Sequence, residues 1–274
     1  MSVKDQMQVV IAGSRNLYPW FPYAYMSLLD HNPNAKVWIF IEDEKLPYDV
    51  PEQVETVDIS KQTAFGTDGA NWKTTYTYMS LMRSTYPLLF TGESNALGVR
   101  ELPRLNRVIQ LDVDVIVNDT LTPIWSIDMK DAYFAMTEET LGSYFPFGNK
   151  DENGKRKPYY NCAVAVFDLE NMRRDGIAEE EIAWLNNTRA QCIDQDAHMY
   201  ICERHGYDKC LTLGPRYNEC FATQGSLRPA VVHAAGVRRW WDNLEEQYRG
   251  AYWQKYEKYT MEPYRKCVEA GIKC

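Results

Sequence analysis

Arg107-Val108-Ile109-Gln110-Leu111-Asp112-Val113-Asp114-Val115-Ile116-Val117 is the stretch that decides how the chain is built. Val108, Ile109 and Leu111 make the run up to Asp112 mostly apolar, the pattern of a buried strand. It runs directly into Asp112 and Asp114. Residues i and i+2 of an extended chain share a face, so these two carboxylates can converge on one hard cation. Val115 to Val117 then resumes the apolar pattern.

Similar short runs lie on either side. Val9 to Ala12 ends in Gly13-Ser14 and reads as a buried strand and a turn. Val37 to Ile41, Val54 to Ile59, Ala132 to Met136, Ala163 to Phe167 and Val231-Val232 read as further strands. Helical spacing marks Tyr23 to Leu29, Thr74 to Phe90, Ala178 to Asn186 and Asp194 to His205. Strands alternating with helices predict an α/β fold with a mostly parallel central sheet covered on both faces. Ligands of such sheets bind beyond the carboxyl ends of the strands. That singles out Ala12 to Asn16, Asp112 to Asp114 and His233 to Gly236. Thr91 to Asn106 and Phe147 to Lys157 read as loops.

The 274 residues carry a formal net charge of −8, which argues against nucleic-acid or anionic-membrane binding. A phosphate-bearing substrate would need a local neutraliser. The N-terminus shows no signal-like pattern and no stretch is long enough for a membrane span, so a cytoplasmic location is expected. All seven cysteines follow position 161, their number is odd and no CxxC occurs, which fits a reduced compartment. His198, Cys202, His205 and Cys210 have spacings that could build a zinc site or simply line a buried helix face.

Four motifs, in order, carry a resemblance: RVIQLDVDVIVNDTLTPIW, YYNCAVAVFDLENMR, DQDAHMYICERHGYDKCLTLGPRYN and HAAGVRRWW. From about Val9 to Trp241 the chain resembles glycosyltransferase family 8, the retaining nucleotide-sugar transferases. The resemblance implies a Rossmann-like GT-A fold, a divalent metal (Mn²⁺ or Mg²⁺) and a UDP-sugar donor of glucose or galactose. The acceptor, a glycan or a protein, is not coded in any readable loop. By the same resemblance Asp112, Asp114 and His233 are the metal ligands. Imidazole beside two carboxylates suits Mn²⁺ better than Mg²⁺.

Gly236 then matches a glycine that admits the diphosphate, and Arg239 stands where the family has Lys. Trp241 matches a closing aromatic, while Trp240 replaces Pro. Ala12, Ser14 and Asn16 hold nucleotide-contacting places, Val113 sits among them, and Ser14 replaces a usual Asp. Tyr18 comes one position late. Ser80 replaces the Arg of the family's "TYxRL", and Arg83, one turn on, is the candidate substitute. Asn161 and Glu138 match sugar-contacting positions, with Ala163 in place of Gly. Asp194 and Gln195 match the sugar-binding Asp and the Gln near the reacting carbon. These departures keep a second reading open: a nucleotide-sugar-binding protein without transfer activity.

The expected organisation is a catalytic domain over 1–243 and an aromatic helical tail over 244–274. Tyr248, Tyr252, Tyr256 and Tyr259 form a helical stripe there. Basic and acidic residues balance in the tail, so strong membrane attraction is not expected. Packing on the domain, or on another copy in a homo-oligomer, is expected instead.

Overall fold

The computed structural model describes residues 6–74, 77–140, 148, 150–223, 225–236, 240–244, 246 and 249–274. Its strands are β1 (Gln8–Ala12), β2 (Lys36–Ile41), β3 (Val54–Asp58), β4 (Arg107–Leu111), β5 (Val115–Val117), β6 (Phe134–Glu138), β7 (Tyr160–Asp168), β8 (Cys210–Leu213) and β9 (Val231–His233). The helices are α1 (Phe21–His31), α2 (Tyr86–Leu89), α3 (Thr122–Trp125), α4 (Leu169–Asp175), α5 (Ile177–Asn187), α6 (Ile193–His205), α7 (Gly250–Gln254) and α8 (Met261–Glu269).

Seven strands form one sheet in the order β3-β2-β1-β4-β7-β6-β8. Every pairing is parallel except those of β7, which runs antiparallel to both β4 and β6. Alternation explains the continuous apolar runs. Val9, Ile11, Val37 and Ile39 pack on one face together with α1, while Val10, Trp38, Phe40 and Val108 pack on the other against α4 to α6. A second sheet pairs β5 with β9, with Val115 opposite His233. This small ladder brings the segment after Asp114 beside the end of β9, and the Ala234 amide donates to the Asp114 carbonyl at 2.9 Å.

Three expectations need correcting. The helix expected over Thr74 to Phe90 is a 3-10 turn over Tyr78–Thr85 followed by the short α2. Pro87, in the first turn of α2, lacks the N–H that a continuous helix would use. The strand expected from Ala132 begins at Phe134. The tail is not one continuous stripe but α7, a 3-10 turn over Glu257–Tyr259, and α8. Its packing partner is the sheet domain: Trp253 is fully buried, with its ring 4.5 Å from Trp240 and 5.5 Å from Tyr23 of α1. Tyr248 lies outside the described residues. Among the described residues, no helix is long and apolar enough to cross a membrane.

Candidate active site

The carboxyl ends of β1, β4 and β9 meet on one side of the sheet. Gly13 follows β1, and a Cβ there would come within 3.1 Å of Val113 and 3.0 Å of Phe21, so a side chain at this position would have to push those two aside by a few tenths of an ångström. The Asp112 amide donates to the Ala163 carbonyl at 2.9 Å, extending the β4–β7 ladder by one step and fixing where the acidic pair begins.

Asp112, Asp114 and His233 each present one ligand atom, all within 4.8 Å of one another. His233 Nε2 lies 3.6 Å from an Asp114 oxygen. The other ring nitrogen, Nδ1, is 3.0 Å from Asn218 Oδ1, an acceptor for its proton, so that the neutral imidazole carries its lone pair on Nε2, toward the carboxylates. Two carboxylate oxygens and one tethered imidazole nitrogen are a donor set that fits a divalent cation such as Mn²⁺.

Without a cation His233 and Asp114 hold protons more tightly than they ordinarily would. Burial works to discharge His233, but Asp114, Cys220 and Asp112 outweigh it and push its pKa up to about 9. Burial, with Asp112 adding to it, raises Asp114 to about 6.

Arg83 sits between Asp112 and Asp194. It is buried, with its guanidinium donating to Asp112 from Nη2 and to Asp194 from Nη1. Nη1 also reaches Cys162 Sγ at 3.1 Å. Burial alone would loosen its proton, but Asp112 and Asp194 hold it charged. Cys162, Asp194 and His198 also lie close enough to suggest a second metal cluster, but the Arg83 charge stands against both Cys162 and Asp194. The zinc grouping expected on α6 does not assemble among the described residues. His198 Nδ1 pairs with Glu181 at 2.7 Å, and His205 pairs with Glu180 at 2.8 Å.

Beyond Arg83, the expected sugar-contacting residues Asn161, Asp194 and Gln195 are brought together and buried. Ile193, just before Asp194, has φ +27°, a strained value for a β-branched residue. Glu138 is half-buried and makes no part of this cluster among the described contacts. Its place is taken by Glu139, whose Oε1 accepts from Asn161 Nδ2 at 2.9 Å and from Gln195 Nε2 at 3.2 Å. The β6–β7 ladder shifts register between Met136 and Thr137, which changes which side chain faces the cluster.

Ala12 ends β1, Ser14 and Asn16 follow it, and Ser14 Oγ donates to Asn16 Oδ1 at 2.7 Å. Beside Ser14 and Asn16 opens a cavity of about 790 Å³, lined also by Arg15, Glu42, Asp43 and Ile272. Tyr18 contributes to its wall. It is fully buried, donating its OH to Asp43 at 2.9 Å and accepting from the Glu42 amide at 2.8 Å. Gly236 follows β9 with φ +143°, a conformation only glycine adopts freely. Trp241 stacks on Trp20 at 4.9 Å, and Trp240 joins the aromatic cluster of the tail. Arg239 lies outside the described residues.

The comparison with known proteins fits this arrangement. The model of glycosyl transferase family 8 matches residues 97–244, just over half of the chain. The chain belongs to glycosyltransferase family 8. Like a solved structure of LgtC, this family 8 chain has a GT-A fold: the two superpose with a TM-score of 0.69 over 95% of this chain and 100% of that one, at 16% identity. General stress protein A of Bacillus subtilis is 26% identical over 180 residues, 57% of this chain and 60% of its own length. Glycosyltransferase GlyD of Streptococcus pneumoniae is 22% identical over 275 residues, 91% of this chain and 30% of its own. This family 8 chain thus spans about three-fifths or less of the length of these curated relatives.

The four motifs read from the sequence converge on one site in this family 8 chain. Glu139, Asn218, Cys162 and Cys220 were not singled out as functional. Asn218 closed one of the quoted motifs, and Glu139 sat next to the residue that was chosen.

Proposed function

We propose that this chain transfers a neutral hexose, glucose or galactose, from a UDP-sugar to a glycan or protein acceptor, with retention of configuration at the anomeric carbon. The observation that carries the reading is the convergence of Asp112, Asp114 and the Asn218-tethered His233 at the ends of β4 and β9. These three residues would hold Mn²⁺. A cation there supplies Lewis-acid neutralisation of the diphosphate.

The chain's own residues do the rest. Ala12, Ser14, Asn16 and Val113 line the way to the nucleotide, and backbone at Gly236 admits the diphosphate closely. Arg239 would add positive charge at the leaving group. Asn161, Asp194 and Gln195 face the sugar, with Glu139 held behind Asn161 and Gln195. The Asp194 and Glu139 charges repel a uronic acid, which favours a neutral hexose. Gln195 is a poor nucleophile, and the LgtC structure is that of an active-site mutant with glutamine replaced by glutamate. We favour a same-face route in which the leaving phosphate takes the acceptor's proton and the Gln195 carbonyl dipole steadies the positive anomeric carbon.

Residues 1–243 would form the catalytic unit and 244–274 a tail packed upon it. The seven free thiols support a reducing, cytoplasmic setting. The test is UDP release from UDP-glucose and UDP-galactose with and without Mn²⁺, followed by NMR of the product. No Mn²⁺-dependent release overturns the activity, and a β-linked product from the α-linked donor overturns retention.

A further inference from the structure

The buried polar side chains beyond the metal ligands form a single directed chain. His233 Nδ1 donates to Asn218 Oδ1 at 3.0 Å. Asn218 Nδ2 donates to Asn161 Oδ1 at 2.7 Å, and that oxygen also accepts from the Ala163 amide at 3.1 Å. Asn161 Nδ2 donates to Glu139 Oε1 at 2.9 Å, and Gln195 Nε2 donates to the same oxygen at 3.2 Å. All five side chains are buried, so water does not stand in for a missing partner.

A carboxylate accepts and never donates, whereas an amide can present either end. Glu139 is therefore the terminus that sets the direction. With Oε1 as a fixed acceptor, Gln195 must turn its NH₂ inward and present its carbonyl oxygen to the sugar end. Asn161 must likewise present its oxygen to Asn218, and Asn218 its oxygen to His233 Nδ1–H. The imidazole is then left with its lone pair on Nε2, the nitrogen that faces Asp114. Cys220 also contacts the imidazole but does not extend the chain.

We infer that Glu139 is a positioning residue that orients the Gln195 carboxamide and, through Asn161 and Asn218, the metal-facing nitrogen of His233. The inference rests on the proposed transfer reaction. It assigns a role to a residue that neither contacts the candidate metal ligands nor was matched by a motif.

The test compares wild type, Glu139→Gln and Glu139→Leu for Mn²⁺ affinity by electron paramagnetic resonance of free Mn²⁺, and for kcat and donor KM by UDP release. Gln keeps the shape and can still accept; Leu cannot accept at all. Mn²⁺ binding should weaken in the order wild type, Gln, Leu, reaching about tenfold for Leu. The kcat should fall in the same order, with donor KM changing far less. Thermal melts establish that each variant is folded, and Glu139→Gln alone decides if the Leu variant does not fold. If a folded variant binds Mn²⁺ and turns over within about twofold of wild type, this inference fails and the transfer reading stands. If wild type itself neither binds Mn²⁺ nor releases UDP, the transfer reading fails and takes this inference with it.

Discussion

Arg83 offers the most stringent check on how the site is held together. Arg83 is 6% exposed and its guanidinium bridges Asp112, a proposed metal ligand, to Asp194, a proposed sugar contact. Arg83→Met keeps much of the volume but strands two carboxylates that share no other cation among the described contacts. Removing one partner of a buried ion pair costs about 3–5 kcal/mol, and at this chain length that lowers the melting temperature by about 6–20 °C. Arg83→Lys should fall between, because an ammonium cannot fork across two carboxylates.

Metal supplies a second axis. Mn²⁺ at about 100 times its Kd stabilises the folded form by about 2.7 kcal/mol. In Arg83→Met the cation replaces the missing charge beside Asp112 and meets no guanidinium repulsion. Mn²⁺ should therefore raise the melting temperature of the variant more than that of wild type. Differential scanning fluorimetry of the three proteins, with Mn²⁺ and with chelator, reads both effects. A metal-free Arg83→Met that melts within about 2 °C of wild type would refute the claim that this ion pair is buried and uncompensated.

Asp114→Asn at saturating Mn²⁺ should lose Mn²⁺-dependent UDP release by at least about 100-fold, since a hard cation loses one of its two carboxylates; near-wild-type turnover removes the metal assignment. Mn²⁺ takes only the deprotonated site, and His233 is pushed up to about 9 chiefly by Asp114 against the opposing effect of burial. Mn²⁺ affinity should therefore rise with pH, about tenfold per unit below pH 9, and a flat profile by titration would show that His233 is not a ligand. Trp253→Ala empties a fully buried position against Trp240 and Tyr23 and should cost about 3–5 kcal/mol in chemical denaturation, with loss of the catalytic unit's cooperative unfolding. UDP should bind far more weakly in chelator than in Mn²⁺ by calorimetry, and equal affinities would contradict a cation-mediated diphosphate site.

What the sequence made legible follows from range. The strands β1, β2 and β4 are buried on both faces, so their apolar runs name them without reference to any partner. The acidic pair and His233 each sit at a strand end, where the sheet itself dictates convergence. Features set by distant or irregular geometry were not readable. Arg83 looks like any helical charge until Asp194, 111 positions away, is folded against it. Glu138 is the residue the family resemblance points to, but a register shift at Met136 gives the cluster Glu139. Tyr18, one position late in the family pattern, donates its OH to the Asp43 carboxylate and accepts from the Glu42 amide. Pro87 was visible in the sequence, but the helical periodicity around it masked the break.

The acidic balance of the chain acquires a local meaning from this geometry. Asp112 and Asp194 flank the buried Arg83 guanidinium, and Asp114 and Glu139 add two more carboxylates to the same site, so acids outnumber this cation before any ligand enters. A diphosphate brings more negative charge and is repelled from such a place by several kcal/mol at short range in a poorly screened interior. A protonated His233 offsets only part of this, and its proton must leave for the imidazole to act as a ligand. In the proposed reaction the electrostatics favour an order of cation first, nucleotide-sugar second. The Arg83 bridge fits that order. It sets a positive charge between Asp112 and Asp194 without a cation, and it leaves Asp114 and His233 to take the proposed cation once the imidazole has lost its proton.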